Sequence, residues 1–152
     1  MNMTNLANTL LFLFFILNIA LSAKGYYECR YKKNAYGETR FLYPLSMFVW
    51  GDAFIFGVFF ALSSLVCILL QDQILFLLIL SLFYLVRSVG ETIYWFNQQF
   101  STIIRMKPEK YPTHKIFHND SVWFIMQIVN QCVTVVTIIT SVYLFHIWLK
   151  LH

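Results

Sequence analysis

The sequence predicts an all-α integral membrane protein: a four-helix bundle with both termini on the non-cytoplasmic side and two cytoplasmic loops. Three observations predict it. Of 152 residues, 59% are hydrophobic and only 12% charged, more apolar surface than a water-soluble domain of this length can hide. The apolar residues fall in four blocks, about 6–23, 45–70, 74–96 and 122–149, and a span of the hydrocarbon core takes about 20 such residues, so the first block is only just long enough. Basic residues concentrate between blocks one and two and between blocks three and four. Backbone in lipid must satisfy its own hydrogen bonds, which makes runs this continuous helical. A transmembrane barrel needs strict alternation, and the blocks have none. The whole chain, 1–152, reads as one transmembrane domain.

Block one, 6–23, has a small-x-small sequence at Ala20-Leu21-Ser22 that imitates a signal-peptide cleavage site. Signal peptides carry positive charge before the apolar run, whereas here it begins afterwards, at Lys24. The block is therefore expected to remain attached as a first span. The following loop, about 24–44, holds Lys24, Arg30, Lys32, Lys33 and Arg40 among five tyrosines, a mixture suited to the headgroup zone. Asn34-Ala35-Tyr36-Gly37 is a predicted turn, and Pro44 is expected at the start of the second helix.

In block two, Ala53, Gly57 and Ala61 recur every four residues, a face on which another helix can come close. The link Gln71-Asp72-Gln73 is so short that spans two and three must form an antiparallel hairpin. The second loop, about 97–121, carries Arg105, Lys107, Lys110 and Lys115, with Pro108, Pro112 and a capping sequence Asn119-Asp120-Ser121 before the last span. The two loops together hold nine of the 11 Lys and Arg residues. The positive-inside rule makes both loops cytoplasmic, and the formal charge of +4 is accounted for by topology and attraction to anionic headgroups. The expected partner is thus the lipid bilayer, with no nucleic acid. Cell and organellar membranes are not distinguished.

Charged groups inside a span cost about 2.5–3.5 kcal/mol each at its centre, so they mark partners or function. Asp52, Arg87 and Glu91 are such groups. Arg87 and Glu91 are four apart and share a helix face with Tyr94 and Gln98. Counting from the cytoplasmic ends of the blocks at about 1.5 Å per residue, Asp52 is expected roughly 10 Å deep, Glu91 roughly 9 Å and Arg87 roughly 15 Å. Span four adds a polar stripe of Gln127, Asn130, Gln131, Thr134, Thr137 and Ser141, and span one adds Asn18. The candidate ligand-binding set is therefore Asp52, Arg87, Glu91, Tyr94, Gln127, Asn130, Gln131 and Asn18, converging in one layer of the cytoplasmic half.

This layer has two readings. As a structural network it fixes helix register. As a site, two carboxylates facing one guanidinium leave a negative charge for a proton, a cation or a cationic group to neutralise. His114 and His118, with Asp120 nearby, have spacing compatible with a metal, but in a loop with two prolines they are expected to contact headgroups, so no metal is assigned. Cys29, Cys67 and Cys132 form no disulfide or metal spacing. No phosphate loop, zinc-protease sequence or nucleophile elbow is present, and no cofactor is expected. Three functions follow as alternatives. One is binding or conduction of a small polar or cationic species, as an oligomer because four thin helices enclose little volume. Another is an enzyme acting on a lipid-like substrate at the cytoplasmic interface, with Glu91 as base and Arg87 on an anionic headgroup. The third is a ligand-free scaffold or accessory subunit of a larger membrane complex.

Overall fold

The computed structural model describes residues 3–101, 116–117 and 121–152. The basic residues Arg105 to Lys115, the prolines of the second loop, His114, His118, Asn119 and Asp120 lie outside them. Among the described residues the chain is helical, with no β-strand longer than an isolated bridge. The long helices are α1 (Met3–Arg30), α2 (Trp50–Leu70), α3 (Gln73–Phe100) and α4 (Ser121–Leu151). All four are long and apolar enough to cross a membrane. The chain forms two compact units, Met1–Ile79 and Leu80–His152, with the division falling inside α3.

In the first unit α1 and α2 pack along matching stripes. On α1 the buried positions are Leu11, Asn18, Leu21, Ser22, Gly25 and Glu28, and on α2 they are Trp50, Ala53, Gly57, Phe60, Ala61, Ser64 and Cys67. Spacings of three and four put each set on one side of its helix. Ala53, Gly57 and Ala61 are thus buried as the close-approach face. The approach is reciprocal: a Cβ at Gly57 would stand 3.0 Å from the Asn18 carbonyl oxygen and the Ser22 nitrogen, and one at Gly25 would stand 2.6 Å from the Phe54 nitrogen. Each helix therefore presses a glycine against the other's backbone, and Ser22 Oγ donates to the Phe54 carbonyl at 3.1 Å across the contact.

The α2–α3 link is a tight stop and restart. Gln71 adopts the left-handed region at φ 54°, its N–H and that of Asp72 bonding back to the Ile68 and Cys67 carbonyls. Asp72 then caps α3, Oδ1 accepting the Leu75 N–H at 2.8 Å. The first turns of α3 belong to the first unit, where Phe76 meets Phe14 edge-on at 5.6 Å and Gln73 donates to Asn8 at 3.1 Å.

The first loop differs from expectation. α1 continues to Arg30, and Pro44 lies within a short 3-10 helix, Arg40–Leu45, six residues before α2 begins at Trp50. The reason is that the intervening segment folds back on itself. Thr39 donates its N–H to the Phe48 carbonyl at 2.9 Å and its hydroxyl to the Met47 carbonyl at 2.8 Å. Met47, Thr39 and Leu42 are buried beneath it. The predicted turn forms, with the Gly37 N–H on the Asn34 carbonyl at 3.1 Å.

In the second unit α3 and α4 run against each other through a heptad of polar pairs. Ser81 meets Ser141 and Ser88 meets Thr134, each at 2.9 Å between hydroxyl oxygens, and Gln99 donates to Gln127 at 2.6 Å. Partners are seven apart on both helices for the first two pairs, the repeat of a left-handed antiparallel packing. The end of this seam is closed by Trp95 and Trp123, stacked at 5.5 Å and 23°, with Val122 buried beside them.

The glycine contacts make a prediction. Gly57→Leu or Gly25→Val should lower the stability of the first unit by about 1–3 kcal/mol, since neither helix backbone can yield cheaply. Gly90→Ala should be neutral or stabilising by up to about 1 kcal/mol, because nothing lies within 4 Å of a Cβ there. Thermal unfolding of the three variants in detergent micelles checks the contrast.

Candidate functional site

The first unit holds two members of the sequence-derived set. Asp52 stands in the first turn of α2, about 3 Å along the helix and not 10 Å, because α2 starts later than the apolar block suggested. Its Oδ2 accepts the Phe48 N–H at 3.0 Å. A carboxylate there meets the positive end of the helix dipole, and its reach back to a preceding N–H follows the logic of a capping box. Val49, the N-cap, contributes no side-chain bond, so the first donors of α2 find loop carbonyls instead: Trp50 N–H on Gly37 at 3.1 Å and Gly51 N–H on Ala35 at 2.9 Å. Asp52 thus helps tie the loop to the helix. Asn18 is fully buried in the α1–α2 contact and donates to the Phe14 carbonyl at 2.8 Å.

The second unit holds the remaining six. Arg87 Nη2 and Glu91 Oε1 are 3.0 Å apart, an ion pair within one helix whose side chains are 22% and 13% exposed. Tyr94, half-buried, packs edge-on against Trp95 at 5.0 Å. Gln127 is bonded to Gln99 across the seam. Asn130 turns inward on its own helix and donates to the Met126 carbonyl at 2.8 Å. Gln131, by contrast, is exposed. The stripe predicted on α4 is therefore divided: Gln127, Thr134 and Ser141 face α3, whereas Gln131 points elsewhere.

Neither a family model, nor a curated protein, nor a solved structure matches this chain. The residues must accordingly speak for themselves. Among the described residues no group of three or more His, Cys, Asp or Glu stands together to hold a metal ion.

One charged residue missing from the sequence-derived set is prominent in the structure. Glu28 is 7% exposed on the buried stripe of α1, its Oε1 lies 2.8 Å from Lys32 Nζ, and its carbonyl accepts the Asn34 N–H at 3.0 Å. The signal was available as a Glu–Lys pair at four-residue spacing in register with Asn18, Leu21 and Gly25. Around it, Lys24 lies over the Trp50 ring at 5.4 Å and Lys32 over the Tyr27 ring at 5.5 Å. The basic loop is thus an ordered cap over the ends of α1 and α2. Burial and the nearby Glu38 push the Tyr43 hydroxyl above its ordinary range.

The Glu28 carboxylate, through its hydrogen bond and its charge, raises the Lys32 ammonium above the usual lysine value. A raised cation stabilises the fold fully below the unfolded value of about 10.4 and loses that contribution as pH climbs through the folded one. Lys32→Met should therefore flatten the alkaline limb of a stability–pH profile above about pH 10 and leave its shape near neutrality unchanged. Separately, Asp52→Ala should cost about 1 kcal/mol by removing the tie at the start of α2, and amide exchange at Phe48 should quicken.

Proposed function

We propose that this chain is a multi-pass membrane protein, N-out and C-out, and that it works as a ligand-free scaffold or accessory subunit whose buried polar groups hold its helices in register. The supporting observation is the local bonding of the charged groups: Arg87 is paired with Glu91 at 3.0 Å, and Asp52 receives a backbone N–H in the first turn of α2. A carboxylate engaged in this way has less charge to offer a passing ion. The hydroxyl ladder between α3 and α4 supports the same reading, since such contacts average about 0.6 kcal/mol each and serve chiefly to choose which helices pair.

A second reading rests on a different feature of the same ion pair. Glu91 and Arg87 keep 13% and 22% of their side-chain surface exposed, so a small polar or cationic species reaching the pair from the cytoplasmic half would find both charges. In that reading Tyr94 and Gln127 of the same unit supply neighbouring polar groups, and several copies enclose the path.

The scaffold reading expects Arg87→Ala to cost about 1–2 kcal/mol, a buried-pair loss discounted for partial exposure. Glu91→Gln should cost a similar amount, and the double variant less than the two together. Melting temperatures in lipid nanodiscs, with and without monovalent and divalent cations, decide the matter. A Glu91→Gln chain that melts like the parent but loses a cation-induced shift would replace the first reading with the second. For topology, in a cysteine-free background, Gln71→Cys should react with an impermeant maleimide from outside, and Asn34→Cys only after the membrane is opened.

A further inference from the structure

Of the five cations on the first loop, three are engaged within their own unit. Lys32 Nζ lies 2.8 Å from Glu28 Oε1, Arg40 Nε lies 3.1 Å from Glu38 Oε2, and Lys24 sits over the Trp50 ring at 5.4 Å. Arg30 and Lys33 have no hydrogen bond or ion pair among the described residues. No acid is left over for them. The chain has seven, and the five described ones are taken: Glu28 and Glu38 as above, Glu91 by Arg87, Asp52 by the Phe48 N–H and Asp72 by the Leu75 N–H. The other two, Glu109 and Asp120, share the second loop with four cations, so that loop has base in excess too. The counter-charge of Arg30 and Lys33 therefore comes from outside the chain.

The backbone keeps these two cations together. Arg30 ends α1, and Lys33 takes the left-handed conformation at φ 52°, with the Asn34 N–H returning to the Glu28 carbonyl at 3.0 Å. Three peptide links hold their Cα atoms within about 11 Å, inside the joint reach of two long side chains. α1 runs on from Ala23, where the apolar block ends, to Arg30, which stands about 10 Å beyond it, at headgroup level for an upright helix. On either side of Arg30 in sequence, three tyrosines pack ring on ring, Tyr31 at 5.4 Å from Tyr27 and 6.3 Å from Tyr26. Amphipathic rings at a span end favour the bilayer boundary, which argues for a lipid over a soluble anion.

We propose that Arg30 and Lys33 form a binding site for the phosphate of an anionic phospholipid in the bordering leaflet. The guanidinium presents a planar fork that matches two phosphate oxygens, and the ammonium adds a point charge beside it. Two cations favour a headgroup of net negative charge, because the ammonium of a zwitterionic lipid would meet like charge. A general attraction of the loop for headgroups thus narrows to two of its five cations. The inference rests on the membrane-spanning reading of α1 and is independent of what Arg87 and Glu91 do.

The test titrates the full chain in dodecyl maltoside micelles with dioctanoyl phosphatidylglycerol or dioctanoyl phosphatidylcholine, counting bound lipid by native mass spectrometry. Phosphatidylglycerol should bind in preference, and Arg30→Gln and Lys33→Asn should each weaken it by about fivefold. Asparagine is chosen at 33 because it tolerates the left-handed backbone. Arg40→Gln, which removes the same charge from a cation already paired, should leave binding nearly unchanged. Equal losses in all three variants would assign the effect to net charge and overturn the site, as would equal affinity for the two lipids. Displacement of phosphatidylglycerol by millimolar inorganic phosphate would overturn the lipid as occupant. A lower melting temperature for Arg30→Gln with lipid preference intact would give that cation to the negative end of the α1 dipole instead. Flotation of the chain with vesicles separates the failures: a chain that floats without lipid preference loses the site alone, and one that does not float loses the membrane reading as well.

Discussion

A polar group carried into an apolar helix has to find a hydrogen bond there, and that requirement orders both units of this protein. Losing water without a replacement bond costs several kcal/mol in a hydrocarbon-like setting, more than any one of these contacts returns. One response recurs. Asn18, Ser64, Thr92, Asn130, Thr134, Thr137 and Thr140 each donate to the carbonyl four residues earlier. Their donors are thereby satisfied within the helix, and the remaining lone pairs are free to bond sideways. Thr134 does so across the α3–α4 seam, its oxygen accepting the Ser88 hydroxyl at 2.9 Å.

The two units meet the requirement with different packing. Between α1 and α2 the helices approach until glycine is opposed to backbone, and polar side chains fill only the small spaces left, as Ser22 does against Phe54. Between α3 and α4 there is no such glycine contact. Two hydroxyl pairs a heptad apart and one amide pair meet in the seam, and two stacked tryptophans terminate it. Close backbone approach gains dispersion over a short length, whereas a polar ladder gains discrimination over a long one. In the second arrangement α3 covers only one face of α4, which is why Gln131 stands apart from the stripe that contains it.

The basic loop shows how a headgroup-zone sequence acquires a fold. Its aromatic and cationic composition suits an interface, yet Thr39, Leu42 and Met47 are buried and its carbonyls cap α2. Three of its cations are engaged in specific contacts: Lys32 with Glu28, Lys24 with Trp50, Arg40 with Glu38. An ordered loop of this kind holds α1 and α2 at a constant spacing where their glycines meet.

By itself the sequence determined whatever depends on near neighbours: four helices, from the length of the apolar blocks; the small-residue face of α2, from its period; the tight link at Gln71-Asp72; and the Arg87–Glu91 pair, from a separation of four. These need no knowledge of what lies across a contact. The tertiary structure alone decided what depends on residues far apart in the chain. Asp52 sits in the first turn of α2 because Thr39 pairs with Met47 and Phe48 and delays the helix until Trp50. Gln127 and Gln131, four residues apart, part company because α3 covers one and not the other. A period in the sequence says which residues share a face; only the neighbouring helix says which of them is covered.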